Sequence, residues 1–321
     1  VNRDARSLVA AAIRRQPTER VPLGELCIDD ALVTAFTGSV EVGFAQRLKV
    51  ADQLGLDLIC LAADYGPRTS RPGLPAAGDV RWDAIESWAG QTSRFVFVML
   101  DGGFGWGIRT WGFQSFAIMV MRRSADVADL LGQVEALNRQ LVARAAGLGA
   151  DGVVIADDIA YQHGLLLPPD RMRALFLPSL ARQTEACHTA GLPVFFHSDG
   201  DIRAILKDIA GSGFDGLQGI ESAAGMDLAA VKADYGHQLC LWGNLDPACL
   251  VEERHQESID ARVQAVLASG GREGGMIFGT SSGLFQGMRP QSIEWAYQSA
   301  RPAGNRTGDA PDVSPISSPT K

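Results

Sequence analysis

The sequence predicts a (β/α)8 barrel. Two observations carry that prediction. Eight short apolar runs alternate with stretches of helical spacing, and eight βα units in roughly 280 residues is the barrel pattern. The first run leads into Glu-Leu-Cys-Ile-Asp-Asp, without the glycine-rich phosphate loop that an open doubly wound sheet usually places there. The 321 residues, 46% of them hydrophobic and 21% charged, can bury a large core.

Residues 4–15 carry Leu8, Val9, Ala12 and Ile13 at helical spacing, and Pro17 stops that helix. Val21-Pro-Leu-Gly-Glu-Leu-Cys27 is the first strand. Helices are expected over residues 29–36 and 42–54. The second strand, Leu56-Asp-Leu-Ile-Cys-Leu-Ala62, ends at Asp64. Residues 66–79 are rich in Pro and Gly and read as loop. Arg94-Phe-Val-Phe-Val-Met-Leu100 is the third strand. Asp101-Gly-Gly-Phe-Gly-Trp-Gly107 follows and is expected to be a flexible aromatic loop running on to Trp111 and Phe113. A long helix covers residues 125–147, and the fourth strand, Gly152-Val-Val-Ile-Ala156, ends in Asp157-Asp158.

A proline in the first turn and Gly191 at the end bound a helix over residues 169–190. The fifth strand is Pro193-Val-Phe-Phe-His-Ser-Asp-Gly200, and a helix over residues 202–210 follows it. Gly216-Leu-Gln-Gly-Ile-Glu221 is the sixth strand, with a helix around residues 227–233. Gln238-Leu-Cys-Leu-Trp242 is the seventh, running into Asn244 and Asp246 and then helix through residue 267. Met276-Ile-Phe-Gly-Thr280 is the eighth, ending in Ser281-Ser282. A last helix takes residues 291–300. Residues 1–300 are thus expected to form one barrel domain with an N-terminal helix. Residues 301–321, with almost nothing apolar, are expected to be a disordered tail.

A net charge of −8 and the lack of a basic stripe argue against a nucleic-acid partner. No apolar run is long enough for a membrane span, and the first residues hold no apolar signal core. Five scattered cysteines without a Cys-x-x-Cys suggest reduced thiols. A cytoplasmic location is the expectation, and a homodimer stays open.

Ligands of parallel α/β proteins bind at the C-terminal ends of strands. His197 and Asp199 lie two apart at such an end and point the same way in extended chain. A nitrogen donor beside a carboxylate suits a metal ion or proton transfer, and a helix cap is the alternative. The other strand ends offer Glu25, Asp64, Asp101, Asp157, Asp158, Glu221, Asn244, Asp246, Ser281 and Ser282. So acidic a mouth repels itself unless it meets a cation or a basic substrate. Strand-end Asp and Ser also cap helices, and Asp246 and the Asp157-Asp158 pair suit that role best. Glu221 is a poor cap. Phe104, Trp106, Trp111 and Phe113 either flank an aromatic ring or pack as lid and core. Arg109 either pairs with a substrate carboxylate or is a surface arginine.

Ala156-Asp-Asp-Ile159, His197-Ser-Asp-Gly200, Gly243-Asn-Leu-Asp-Pro247 and Gly279-Thr-Ser-Ser-Gly-Leu-Phe285 resemble the uroporphyrinogen decarboxylase superfamily. The resemblance runs over most of residues 4–300 in order, and Gly-Asn-Leu-Asp-Pro is its most specific piece. It implies the same barrel. It also implies one of two activities: metal-free decarboxylation, or methyl transfer by zinc enzymes that work with corrinoid proteins. The superfamily further resembles the zinc domain of cobalamin-independent methionine synthase. The decarboxylases carry an N-terminal Arg-Gln-Ala-Gly-Arg type motif that clamps carboxylates, where this chain has Leu23-Gly-Glu-Leu-Cys-Ile-Asp29. They also carry a histidine where this chain has Ser282.

The zinc branch uses His-x-Cys after the fifth strand, often Glu after the sixth, and Cys after the eighth. The matching residues here are His197, Asp199, Glu221 and Ser282. The resemblance therefore implies Zn2+ or another divalent metal on His197, Asp199 and Glu221. Asp158, Asp64 and Ser282 are the catalytic candidates: either aspartate would handle the proton in a metal-free decarboxylase, and Ser282 would be a donor beside the metal. Glu25, Trp106, Arg109, Trp111 and Asn244 are the expected substrate-binding residues. Oxygen in place of both cysteines favours a Lewis acid acting on oxygen. The expected reaction moves a methyl group from a small methylated substrate, such as a methoxyaromatic, to the cobalamin of a partner corrinoid protein. The alternatives are a metal-free decarboxylase of a small acid and a non-catalytic binding barrel.

Overall fold

A computed structural model describes residues 4–66, 73–271 and 273–302. The expected disordered tail lies outside them from residue 303 onward, as does the stretch 67–72 of the loop expected at 66–79. The chain opens with helix α1 (Ala5–Ile13), capped by Asp4, and then α2 (Asp30–Thr37) and α3 (Phe44–Leu54). Strand β1 (Leu58–Ala62), α4 (Ile85–Gln91) and β2 (Phe95–Asp101) follow. Next come α5 (Gly103–Trp111), α6 (Phe113–Met121), α7 (Ala125–Gly147) and β3 (Gly152–Ala156). A small hairpin of β4 (Ala160–Tyr161) and β5 (Gly164–Leu165) precedes α8 (Pro169–Arg171) and α9 (Leu177–Thr189). The remainder alternates: β6 (Val194–His197), α10 (Leu206–Ala210), β7 (Gly216–Gln218), α11 (Leu228–Tyr235) and β8 (Cys240–Leu245). It closes with α12 (Ala248–Glu252), α13 (Gln256–Gly270), β9 (Met276–Thr280) and α14 (Pro290–Ala300).

The main sheet is parallel, in the order β1-β2-β3-β6-β7-β8-β9. The expected first strand is reduced to single bridges, and these join the two edges. Leu23 pairs in parallel with Phe278 of β9, and Gly24 with Leu58 of β1. A Cβ on Gly24 would lie 2.2 Å from the Leu58 side chain, so a bare backbone is what lets this seam close. The expected eightfold barrel is thereby met, with one strand in rudimentary form.

Strand alternation sorts the apolar residues into two cores. Leu58, Phe95, Phe97, Val154, Phe195, Cys240, Trp242 and Ile277 fill the lumen, and Val9, Ala12 and Ile13 of α1 plug it from below. Aromatic edges lock that filling: Phe97 meets Phe195 at 5.2 Å and Trp242 at 5.4 Å between ring centroids. The larger core lies between the strands and the surrounding helices.

Three aspartates fasten the lower rim in one repeated way. Each stands one residue before a strand and accepts a backbone N–H from the strand alongside. Asp57 takes Leu23 N at 2.8 Å, Asp151 takes Val96 N at 2.9 Å, and Asp215 takes Val194 N at 2.8 Å. Each also meets a basic side chain: Arg20 at 2.6 Å, Arg6 at 2.8 Å and His188 at 2.9 Å. Asp57 is the most buried and is bidentate with Arg20. Asp57→Ala strands that guanidinium and the Leu23 N–H at the closing seam. It is expected to cost about 2–4 kcal/mol, read as a lower urea midpoint at constant slope.

Three helical expectations need correction, the first being that the helix expected through residue 267 is two, α12 and α13, parted at residues 253–255. The loop expected after the third strand is helix α5, continued by α6 across Gly112. The expected single helix over 169–190 contains a wide π-turn at Met172–Phe176. Pro178 has no N–H for the regular ladder and displaces the carbonyl one turn back, and a π-turn absorbs that. No helix among the described residues is long and apolar enough to cross a membrane.

Candidate metal centre at the barrel mouth

His197 is the last residue of β6, and its side chain lies on the lumen face two positions after Phe195. The chain then turns sharply through Ser198, Asp199 and Gly200. Ser198 Oγ fixes the turn by donating to Asp199 O at 2.8 Å and accepting Ile159 N–H at 3.1 Å. Gly200 has φ +85°, and a Cβ there would lie 2.6 Å from Tyr161 N, so the hairpin packs directly on the turn.

The two aspartates after β3 part company. Asp157 is buried and caps α5, accepting the N–H groups of Phe104 at 3.0 Å and Gly105 at 2.7 Å. Burial pushes its carboxyl up to about 7, against those two donors. Asp158 is exposed and faces His197, with Oδ1 3.7 Å from Nε2 and 3.1 Å from Asp199 N. Asp158, His197 and Asp199 can each offer a ligand atom within 4.8 Å of the others, the one such group among the described residues.

Two atoms of this group are buried with no hydrogen-bond partner: His197 Nδ1 and Asp199 Oδ1. Burial holds the Asp199 carboxyl above its usual range; His197 opposes that shift, and Asp158 and Glu221 add to it. A buried imidazole with two carboxylates and unmet polar atoms is a donor set that a divalent cation fits. With no thiolate in the group, the set admits zinc without selecting it.

Glu221, expected as a ligand, stands beside this group: its Oε2 accepts Gly200 N–H at 2.8 Å and braces the turn. Asp158, expected to handle protons, takes the third place in the group. Asn244 is buried and donates from Nδ2 to Ile220 O at 3.0 Å, tying β8 to the segment after β7.

Arg109, Trp106 and Tyr65 pack on one another as a cluster. Arg109 pairs with Asp101 at 2.5 Å, and its guanidinium lies 5.0 Å from the Trp106 ring and 5.3 Å from Tyr65. Trp106 is buried, while Trp111 stacks on Phe116 at 6.3 Å. Phe104 is core, and Phe113 is exposed on α6. Asp64 follows β1, exposed, and its Oδ1 accepts Gly66 N–H at 2.8 Å. Ser282 is partly buried, and its carbonyl faces Cys27 Sγ at 3.8 Å. Burial pushes the Cys27 thiol up to about 12, so it stays protonated.

Glu25 lies elsewhere than expected. Phe278 packs on Tyr297 of α14, and Glu25 joins that face by accepting from Thr280 N at 2.9 Å, Thr280 Oγ1 at 2.7 Å and the Tyr297 hydroxyl. It is 2% exposed and belongs to the layer between barrel and helices, not to the substrate side of the mouth. Sequence reading also missed Gln218, the last residue of β7. Its side chain is fully buried, with Nε2 donating to Thr280 O at 3.3 Å and Ser281 O at 3.2 Å. The available signal was its place two residues after Gly216, on the lumen side of the strand.

The profile of the uroporphyrinogen decarboxylase (URO-D) family matches residues 107–302. The chain belongs to the uroporphyrinogen decarboxylase family. Among curated members it is 27% identical over 225 residues to uroporphyrinogen decarboxylase of Chlorobium phaeovibrioides, covering 66% of this chain and 61% of that one. It is 25% identical over 276 residues to the decarboxylase of Tolumonas auensis, covering 78% of this chain and 75% of that one. The chain thus spans less than two thirds of the Chlorobium relative's length. Among solved structures it matches a methyltransferase from Methanosarcina mazei with a TM-score of 0.72 at 14% identity, covering 92% of this chain and 98% of that one. A B12-independent methionine synthase from Shewanella sp. W3-18-1 matches with a TM-score of 0.54 at 11% identity, covering 89% of this chain and 95% of that one. At these identities the structural likeness is one of fold. The family match leaves the first strand outside it; there Glu25 is a structural bracket and no arginine stands between residues 21 and 29.

Proposed function

We propose that this family member is a metal-dependent methyltransferase. It takes a methyl group from an oxygen atom of a small substrate, such as a methoxyaromatic, and delivers it to the cobalt of a partner corrinoid protein. The observation that carries the reading is the Asp158–His197–Asp199 group, with its unpartnered buried nitrogen and oxygen at the strand ends. The methyltransferase fold of Methanosarcina mazei supports it as an analogy of architecture.

A divalent ion on these residues would supply Lewis acidity toward an oxygen leaving group. The chain's own residues do the rest. His197 and Asp199 present ligands from a turn made rigid by Ser198, Gly200 and Glu221. Asp158 supplies the third ligand from the open, solvent-facing side of the group, so the departing oxygen takes its proton from solvent. Tyr65, Trp106 and Arg109 form a wall for an aromatic ring, with the Arg109 charge already balanced by Asp101. Asn244 holds β8 against the segment that follows β7.

The curated relatives' name favours the second reading, decarboxylation. The charge of the mouth opposes it for a poly-acid, because the carboxyl groups of Asp158, Asp199 and Glu221 gather there. The deciding experiment incubates the protein with methoxylated aromatics and reduced cobalamin, with and without zinc, and follows methylcobalamin by absorbance. Zinc-dependent formation is expected. Release of carbon dioxide from uroporphyrinogen at an enzyme-like rate, with no methyl transfer, would sink the methyltransferase reading.

A further inference from the structure

Gln218 and His197 face each other across neighbouring strands, paired in register. Both side chains point into the lumen. Gly216, two residues before Gln218, would place a Cβ 2.1 Å from the lumen ring of Phe195, and Phe195 is two residues before His197. The Gln218 amide has one available orientation. Its Nε2 donates to two backbone carbonyls, Thr280 O and Ser281 O, so Oε1 is the free end. That oxygen is buried and has no partner.

His197 shows the complementary defect. Nε2 lies on the Asp158 side, and Nδ1 on the β7 side, where a Cβ on Gly219 would stand 3.7 Å from it. Nδ1 is buried and unpartnered as well. A bare acceptor and a ring nitrogen on adjacent lumen positions suit each other only when the nitrogen carries the proton. The opposite tautomer would set two buried acceptors side by side.

We infer that Gln218 is a positioning residue for His197: its Oε1, which makes no hydrogen bond to the ring in this structure, is the acceptor open to the Nδ1 proton and so leaves the Nε2 lone pair on the Asp158 side, an inference that rests on reading these residues as a metal site. Outer partners of this kind fix the tautomer and orientation of a ligating histidine. Gln218 thus reaches the metal through His197 and touches no substrate.

The test uses full-length protein with 15N-labelled histidine, freed of metal by a chelator, at a pH where the ring is neutral. His197 is expected as the Nδ1–H tautomer in the wild-type protein. In Gln218→Leu it is expected to shift toward Nε2–H. Zinc affinity, measured by competition with a chelating dye, is expected to fall about 10–100-fold in Gln218→Leu. An Nε2–H tautomer in the wild type overturns the inference, and so does an unchanged tautomer in Gln218→Leu. If Gln218→Leu does not fold, the wild-type tautomer decides alone. Equal zinc affinity in wild type and Gln218→Leu removes Gln218 from the site and leaves the metal reading intact. Protein that binds no zinc yet holds His197 as Nδ1–H ends the metal reading and keeps Gln218 as the residue that orients the ring.

Discussion

His197→Ala is expected to weaken divalent metal binding on the order of 100-fold or more and to abolish methyl transfer with it. His197 is the one nitrogen ligand in the group and its most buried member. Asp158 and Asp199 alone would hold a cation as a loose carboxylate pair, which water competes with effectively. The readouts are metal content after dialysis against zinc and the rise in melting temperature that zinc confers. A ligand at 100 times its Kd adds about 2.7 kcal/mol to stability, so wild type should melt clearly higher with zinc and His197→Ala should not. The aspartates should grade by burial. Asp199→Asn, at the half-buried position, is expected to lose more affinity than Asp158→Asn. Glu221→Gln is expected to lose least, because its carboxylate is engaged by Gly200. A loss in Glu221→Gln equal to that in Asp199→Asn would make Glu221 a ligand and Asp158 a bystander.

That contrast reflects what a linear sequence can carry. Position along the barrel was legible, because a strand end is marked where an apolar run stops. Which of two adjacent aspartates faces the lumen was not. Asp157 turned toward α5 because Gly102 leaves room: a Cβ there would lie 2.2 Å from Asp157 Oδ2. The helix that Asp157 caps was itself invisible, since Gly103, Gly105 and Gly107 each disfavour helix by about 1 kcal/mol. Tertiary packing explains those glycines. A Cβ on Gly103 would strike Leu131 and one on Gly107 would strike Phe116, each at 2.2 Å. Gln218 went unnoticed for a different reason. A lone amide in an apolar strand carries no motif, and its meaning appears only when β6 and β7 are set side by side. Glu25 was placed at a strand end correctly, but the strand there is only a bridge, and alternation fails to predict a side where there is no regular strand.

Glu25→Ala is expected to cost about 3–5 kcal/mol at a pH near 5, whereas Glu25→Gln is expected to be tolerated. The carboxyl is held by Thr280 N, Thr280 Oγ1 and the Tyr297 hydroxyl, all inside the layer that binds the first strand to β9 and α14. Alanine leaves these groups unpaired and opens a gap beside the closing bridges. Glutamine keeps one oxygen for Thr280 N and Tyr297 and turns its amide toward Thr280 Oγ1. That hydroxyl still has Gly283 O as an acceptor at 2.9 Å. The charge adds a pH dependence. Burial raises the Glu25 carboxyl from 4.5 to about 7, with the hydrogen bonds from Tyr297 and Thr280 working against that rise. Between those values the folded chain keeps a proton that the unfolded chain has released. Stability therefore falls as pH rises through that window and levels off above it. A shift of this size corresponds to a loss of about 3 kcal/mol. Asp157, raised by burial from 3.8 to about 7, adds a loss of the same sign. Urea unfolding across this range should show wild-type stability declining with pH and Glu25→Gln declining less steeply. A wild-type profile that rises toward neutral pH, or equal slopes in the two proteins, would show that Glu25 is ionised in the fold at an ordinary cost. Its carboxylate would then have to be solvated from the mouth after all.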